Sequence, residues 1–308
     1  MAYFAGFDGG GTKTACVVGD EQKILGRGAS LGSKITRVGP GQARASLRQS
    51  LEEACQQARI SSGLIQHACI GLAGAARADV ADSIRKLMEE IVPCPVEVVG
   101  DMVIALEAAF DGGPGAIVIA GTGSICFGRD ERGQTARAGG WGSAVSDEGS
   151  GDWIGRRAVG AALRAHDAGQ NTALLPALMD SWKAGTRDGV ATIANSYPPP
   201  DFAQLFPRVQ QLAEHGDKVA KNILTHAGLE LAQMAKIVLR RLWPGPRAVR
   251  LCMTGGIFQN SEQVRVVFAE TVRSERPETE ISFQEVEPVL GALALARKAA
   301  PAGKSTAT

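Results

Sequence analysis

The sequence predicts an α/β protein of two related domains, each built on its own sheet, with a cleft between them. One pattern of apolar run, glycine turn, second apolar run and charged turn occurs twice, and helical and strand-like segments follow each copy. The length of 308 residues agrees, being that of two compact domains rather than one.

The first copy, residues 4–28, reads FAGFDGGGTKTACVVGDEQKILGRG; the second, 115–140, reads GAIVIAGTGSICFGRDERGQTARAGG. Each predicts strand, tight turn, strand, turn and a third short strand. After the first come helical patterns at about 41–58 and 77–92, with HACIGLAGA (67–75) and VEVVGD (96–101) as strands. After the second comes a mostly helical stretch over 152–241, then the strand VRLCMTGG and further helix. Serine and aspartate in SGDWIGRRAVGAALRAH mark a helix start near 150. Residues 217–243 carry apolar positions at helical spacing and predict one long helix with a buried face. YPPPDF (197–202) is a rigid loop between helices, and the tail APAGKSTAT is expected to be disordered.

The chain is 44% apolar and 21% charged, enough for two cores. A net charge of +1 points to neither nucleic acid nor an acidic membrane as partner. Six scattered cysteines, without a C-x-x-C pair, read as reduced thiols of a cytoplasmic protein. No signal peptide and no membrane-length apolar run is apparent.

Glycine turns at strand ends carry the functional information. DGGGTKT (8–14) lacks the P-loop order, since Lys13 follows Thr12, and lacks Rossmann spacing. It offers Gly9, Gly10 and Gly11 as bare amides for a phosphate, the Thr12 hydroxyl, the Lys13 cation, and Asp8 to hold magnesium through water. An ordinary hairpin with a glycine bulge would use the same residues. AGTGS (120–124) and MTGGIF (253–258) are two further turns of this kind, and strand ends are where α/β folds bind ligands. Asp101 closes an apolar strand and opens a helical run, a place for a general base or for a helix cap.

The order DGGGTKT, GD after an apolar strand, GTGS, GGWGSAVSDEGSGDWIG and TGG resembles the sugar-kinase, actin and Hsp70 superfamily. Within it, the chain is similar to the BadF/BadG/BcrA/BcrD ATPases and N-acetylglucosamine kinases over residues 4–298. The resemblance implies two ribonuclease-H-like, actin-like ATPase domains around an interdomain cleft: 1–115 with a returning 289–308, and 116–288. It implies ATP and Mg2+ as cofactors, a small-molecule sugar as substrate, and a homodimer. Gly9–Lys13, Gly121 and Thr122 then correspond to the phosphate loops, and Gly255 and Gly256 to the adenosine loop. Asp101 matches the catalytic base. Ser33, Lys34, Gly123, Ser124, Gly140, Trp141, Gly142 and Asp147 fall where the sugar is held; Trp141 equally suits a core aromatic. Glu148 and Asp152 suit a helix N-terminus.

Two positions depart from the N-acetylglucosamine kinase pattern. Ile125 stands where those enzymes carry asparagine, and Ser33 or Lys34 stands near a second asparagine in the loop 29–39. The expected product is N-acetylglucosamine 6-phosphate, with glucosamine, another amino sugar or a sugar acid as alternatives. Activators that pass electrons from an iron–sulfur cluster to a dehydratase share the family, but Cys126 has no evident partner cysteine.

Overall fold

A computed structural model of the chain describes residues 2–75 and 77–299. The tail 300–308, expected to be disordered, lies outside them. The chain divides into two units, one of residues up to Gly113 with those from Val286 on, the other Pro114–Glu285.

In the first unit β1 (Tyr3–Gly9), β2 (Lys13–Gly19) and β3 (Ile24–Leu31) form an antiparallel meander. Then come α1 (Ile35–Ala58), β4 (Ile65–Leu72), α2 (Ala78–Glu89), β5 (Val96–Gly100) and α3 (Asp101–Phe110). The strand order is β3-β2-β1-β4-β5, with β4 and β5 parallel to β1. Alternation along β1 sends Ala5 and Phe7 to one buried face, with Leu47, Leu51, Ile84 and Met88. Phe4 goes to the other, with Ile104 and with Val289 and Leu293 of the returning helix Pro288–Ala299. Each such buried Leu, Ile or Phe stabilises the fold by about 1.5–3 kcal/mol. Gly28 lets α1 approach β3 closely: a β-carbon there would strike the Ser50 carbonyl.

The helix α1 is broken at Gly39, whose φ of +77° and ψ of 163° are not helical. Residues 35–38 form one separate turn, and the long helix restarts at Pro40, whose fixed φ suits a first helical position.

The second unit repeats the plan. β6 (Gly115–Ala120), β7 (Ser124–Arg129) and β8 (Thr135–Gly139) are the meander. They are followed by α4 (Gly151–Asp167), α5 (Leu174–Trp182), α6 (Arg187–Ala194), α7 (Phe206–Glu214) and α8 (Lys218–Leu242). Then come β9 (Arg250–Thr254), α9 (Gly256–Asn260), α10 (Glu262–Arg273) and β10 (Glu280–Phe283). The order β10-β9-β6-β7-β8 reproduces that of the first sheet, with β9 and β10 parallel to β6. The long helix α8 is capped by the Asp217 carboxylate, which accepts from Val219 and Ala220 N–H. Its face of Leu231, Ala235, Val238 and Leu239 is buried in the domain core.

Candidate active site

In the first domain the three parallel strands end together, because Gly9, Leu72 and Gly100 share one register. Asp8 stands one residue before that edge and Asp101 one residue beyond it, two strand spacings or about 10 Å apart across the sheet and offset by two residues along it. Burial and the negative charge of Asp101 push the Asp8 carboxyl up to about 6, with Lys13 pulling it back. Asp101 is raised by burial; the Met102 and Asp101 N–H groups and the Lys34 charge act the other way. Gly100 is the N-cap of α3, and Asp101 is its first residue, with Oδ1 accepting the Met102 N–H at 2.9 Å.

The glycine turn joins β1 to β2. Gly10 N–H donates to the Lys13 carbonyl at 2.9 Å. The Gly10 carbonyl accepts from Ser33 N–H at 3.0 Å and Lys34 N–H at 3.3 Å. Among the described residues no acceptor engages Gly11 or Thr12 N–H. A β-carbon on Gly9 would run into the Leu72 side chain and stand 2.8 Å from Ser33 Oγ; one on Gly10 would stand 2.8 Å from the Lys13 carbonyl. The Gly10 N–H, expected to be bare for a phosphate, is instead engaged within the turn. The protein's own packing requires Gly9 and Gly10, and the open amides belong to Gly11 and Thr12.

The donor set fits a hydrated magnesium ion. Asp8 is a hard carboxylate raised by burial and then by the charge of Asp101, and a bound dication would relieve both. No group of three His, Cys, Asp or Glu among the described residues could hold a metal by protein ligands alone, so water and phosphate oxygens would complete the shell.

In the second domain Gly121 N–H closes the turn onto the Gly123 carbonyl at 2.9 Å. The start of α4 abuts this turn: Gly151 N–H donates to the Gly121 carbonyl (2.8 Å) and Asp152 N–H to the Thr122 carbonyl (3.2 Å). Ser150 caps the helix by accepting from Trp153 N–H. Asp147, buried and at φ +67°, accepts backbone N–H bonds from Gly142 and Ser124. Burial, and then the Asp152 and Glu148 charges, nevertheless raise its carboxyl. Its Oδ2 leaves no room for a β-carbon on Gly123. Ser124 Oγ donates to the Glu148 carbonyl at 2.8 Å, and Asp152 pairs with Arg156 at 2.6 Å.

Trp141 is not a core aromatic: it is 67% exposed, with the Arg137 guanidinium 4.0 Å over its ring. Gly140 and Gly142 flank it at φ +71° and +98°, and the Ile125 side chain packs against Gly140. Gly255, at φ +101°, closes on the Ala120 carbonyl, and Gly256 opens α9 with free space around it. Cys126 is wholly enclosed in the domain core, which puts its sulfur out of reach of a cluster shared between subunits.

Two sheets of one topology, each with a glycine turn in its meander, define a two-domain α/β protein of the actin-like ATPase class. The model of the BadF/BadG/BcrA/BcrD ATPase family matches residues 5–296, and the chain belongs to that family. It is 32% identical to the N-acetylmuramic acid/N-acetylglucosamine kinase of Clostridium acetobutylicum, over 96% of this chain and 99% of the relative. It is 28% identical to the glucosamine kinase GspK of Vibrio cholerae, over 84% and 86%. Among solved structures, one described as a putative N-acetylglucosamine kinase from Chromobacterium violaceum superposes with a TM-score of 0.80, at 26% identity, covering 96% of this chain and 99% of that one.

The sequence reading missed Gly32 and Arg37. A β-carbon on Gly32 would strike the Gly11 carbonyl, and the Arg37 guanidinium lies 3.3 Å from where a Gly11 β-carbon would stand. Both contacts join segments some twenty residues apart, which no local pattern displays.

Proposed function

We propose that this protein is an ATP-dependent carbohydrate kinase with an amino sugar as acceptor, N-acetylglucosamine first among them, and Asp101 as general base. The observation that carries the reading is the pair of buried-edge carboxylates Asp8 and Asp101 beside a turn with two open amides. Gly11 and Thr12 N–H with Lys13 bind the terminal phosphates; Gly121, Thr122, Gly255 and Gly256 serve the nucleotide from the second domain. Ser33, Lys34, Gly123, Ser124, Gly140, Trp141 and Gly142 hold the sugar. Asp147 organises that loop through its two N–H bonds.

In the reaction Asp101 takes the proton of the acceptor hydroxyl as its oxygen bonds to the γ-phosphorus and the bond to the β-bridging oxygen breaks, releasing ADP. Magnesium, when bound beside Asp8, neutralises charge on the phosphates. Burial raises Asp101 and so makes it a better proton acceptor, while the Met102 N–H and the Lys34 charge act the other way.

The test is ADP release from ATP across a panel of amino sugars, N-acetylated sugars, plain hexoses and sugar acids. Release confined to amino sugars, and lost in Asp101→Asn, supports the proposal. Release independent of any sugar, or an undiminished Asp101→Asn, refutes it.

A further inference from the structure

The segment 32–38 runs along the strand ends of the first sheet and brings one side chain back onto the glycine turn. Leaving β3, the chain packs the Gly32 α-carbon on the Gly11 carbonyl, an approach that no residue with a β-carbon allows. The Ser33 hydroxyl then stands 2.8 Å from where a Gly9 β-carbon would be, at the place where Gly9 meets Leu72 of β4. Ser33 and Lys34 N–H both donate to the Gly10 carbonyl. The segment therefore passes from the β3 side of the turn toward β4 and β5, the side on which Asp101 stands. A single helical turn follows, closed by Arg37 and Val38 N–H on the Lys34 carbonyl at 2.8 and 3.1 Å, before Gly39 breaks it from the long helix. Ile35 and Val38, three apart on one helical face, pack on the domain core, which leaves Arg37 outside it and exposed. The Arg37 side chain lies over the hairpin tip: its Cδ and Nη1 are 3.6 and 3.3 Å from where a Gly11 β-carbon would stand.

What gathers at that tip is donors without an acceptor. Among the described residues no acceptor engages Gly11 or Thr12 N–H, and the Arg37 guanidinium has neither an ion-pair nor a hydrogen-bond partner. A guanidinium presents its N–H donors in a fixed plane whose spacing matches two phosphate oxygens, which a lysine ammonium does not do. Lys13, the cation within the turn, is placed otherwise: with Asp8 it lines a cavity of about 530 Å³ on the face of the sheet that also takes Val289. Arg37 is thus the cation that stands over the open amides. We propose that Arg37 is a catalytic residue of the phosphoryl transfer, its guanidinium binding the γ-phosphoryl oxygens between the Gly11 and Thr12 amides and the base. The proposal rests on the kinase reading and deepens it. As the acceptor oxygen bonds to the γ-phosphorus, its proton goes to Asp101, and the bond to the β-bridging oxygen breaks with its electron pair leaving on ADP. Arg37 forms no covalent bond; it neutralises charge on the oxygens of the group in transit.

The experiment measures kcat and both KM values, with ATP and N-acetylglucosamine, in wild type, Arg37→Met and Arg37→Ala, and the Tm of each. Arg37→Met should lower kcat on the order of 10²–10³-fold, the worth of one preorganised donor, while the Tm and the acceptor KM stay as in wild type. Calorimetry should show weaker binding of a non-hydrolysable ATP analogue and unchanged binding of ADP, which lacks the group Arg37 holds. Added guanidinium ion should restore part of the rate of Arg37→Ala, a response that a structural role would not give. An unchanged kcat overturns the proposal. So does a rise confined to the acceptor KM, which would put Arg37 on the sugar, and so does a loss of rate with a lower Tm and no rescue. Nucleotide binding separates the proposal from the reading beneath it. If wild type phosphorylates no sugar, yet Arg37→Met loses affinity for the ATP analogue and not for ADP, the γ-phosphate site stands and the kinase reading falls. Analogue affinity that is equal in the two proteins overturns the site.

Discussion

Replacing Asp8 by asparagine tests the electrostatics of the edge without touching the proposed base. Asp8 is pushed up to about 6 from an ordinary 3.8. That is a difference of about two pK units, or roughly 3 kcal/mol at 1.36 kcal/mol per unit. A carboxyl whose folded pKa lies above its unfolded one favours the fold when protonated. The contribution is fully present below about pH 4 and is lost as pH rises through about 6. Asparagine cannot ionise and keeps the favourable state throughout. Asp8→Asn should therefore match wild type near pH 4 and become more stable between pH 4 and 6, with the gap levelling near 3 kcal/mol at pH 7.5.

All four tryptophans lie in the second domain, so the assay is hydrogen exchange of the β1 and β4 amides, in protein free of nucleotide and magnesium. The same substitution should remove the pH dependence of MgATP binding, which in wild type tightens as pH rises through 6 because the ionised carboxylate is the one a dication needs. A stability gap of equal size at pH 4 and 7.5, or none at either, would refute the argument that Asp8 is held uncomfortably charged.

Asp101→Asn should cut kcat by about 10²–10⁴-fold, the usual worth of a general base, while a non-hydrolysable ATP analogue binds unchanged by calorimetry. Gly9→Ala and Gly11→Ala should part company. The first overpacks against Leu72 and destabilises by about 1–3 kcal/mol in urea unfolding, whereas the second meets only the movable Arg37 side chain, folds normally and weakens ATP binding. Asp147→Ala strands the buried Ser124 N–H, while the exposed Gly142 N–H turns to water, and should destabilise the second domain by about 1–3 kcal/mol, seen as a lower Tm.

The sequence displays what is local. Each meander was legible because a glycine turn between two apolar runs and a charged turn after them are short-range signals. The restart of α1 was legible too, since a helix reading from residue 41 follows from Gly39-Pro40 alone. The short edge strand β10 escaped, because four residues of EISF hold no alternation long enough to separate strand from loop. In the candidate site the residue types were readable but their reasons were not. Gly9 and Gly10, read as ligand clearance, also give clearance to Leu72 and Lys13. Trp141 fitted a core by composition and instead stands exposed beside Val145, 78% exposed, on a loop whose left-handed residues Gly140, Gly142 and Asp147 carry it outward.

The duplication explains how such a loop can present N–H groups at all. Turn amides and carbonyls come in equal numbers, so a turn that offers donors must hide its acceptors. Both domains do so by the same device, with different segments. In the first, Ser33 and Lys34 N–H cover the Gly10 carbonyl; in the second, the start of α4 covers the carbonyls of Gly121 and Thr122. The charged groups did not follow the duplication: the residue of β6 in the register place of Asp8 is Ile119, opposite Ile125 as Asp8 is opposite Ala15. The two carboxylates proposed for metal and proton chemistry, Asp8 and Asp101, both belong to the first sheet's edge. The second domain contributes backbone donors and shape. Asymmetry of this kind suits a phosphoryl transfer, since one acceptor hydroxyl gives its proton to one base.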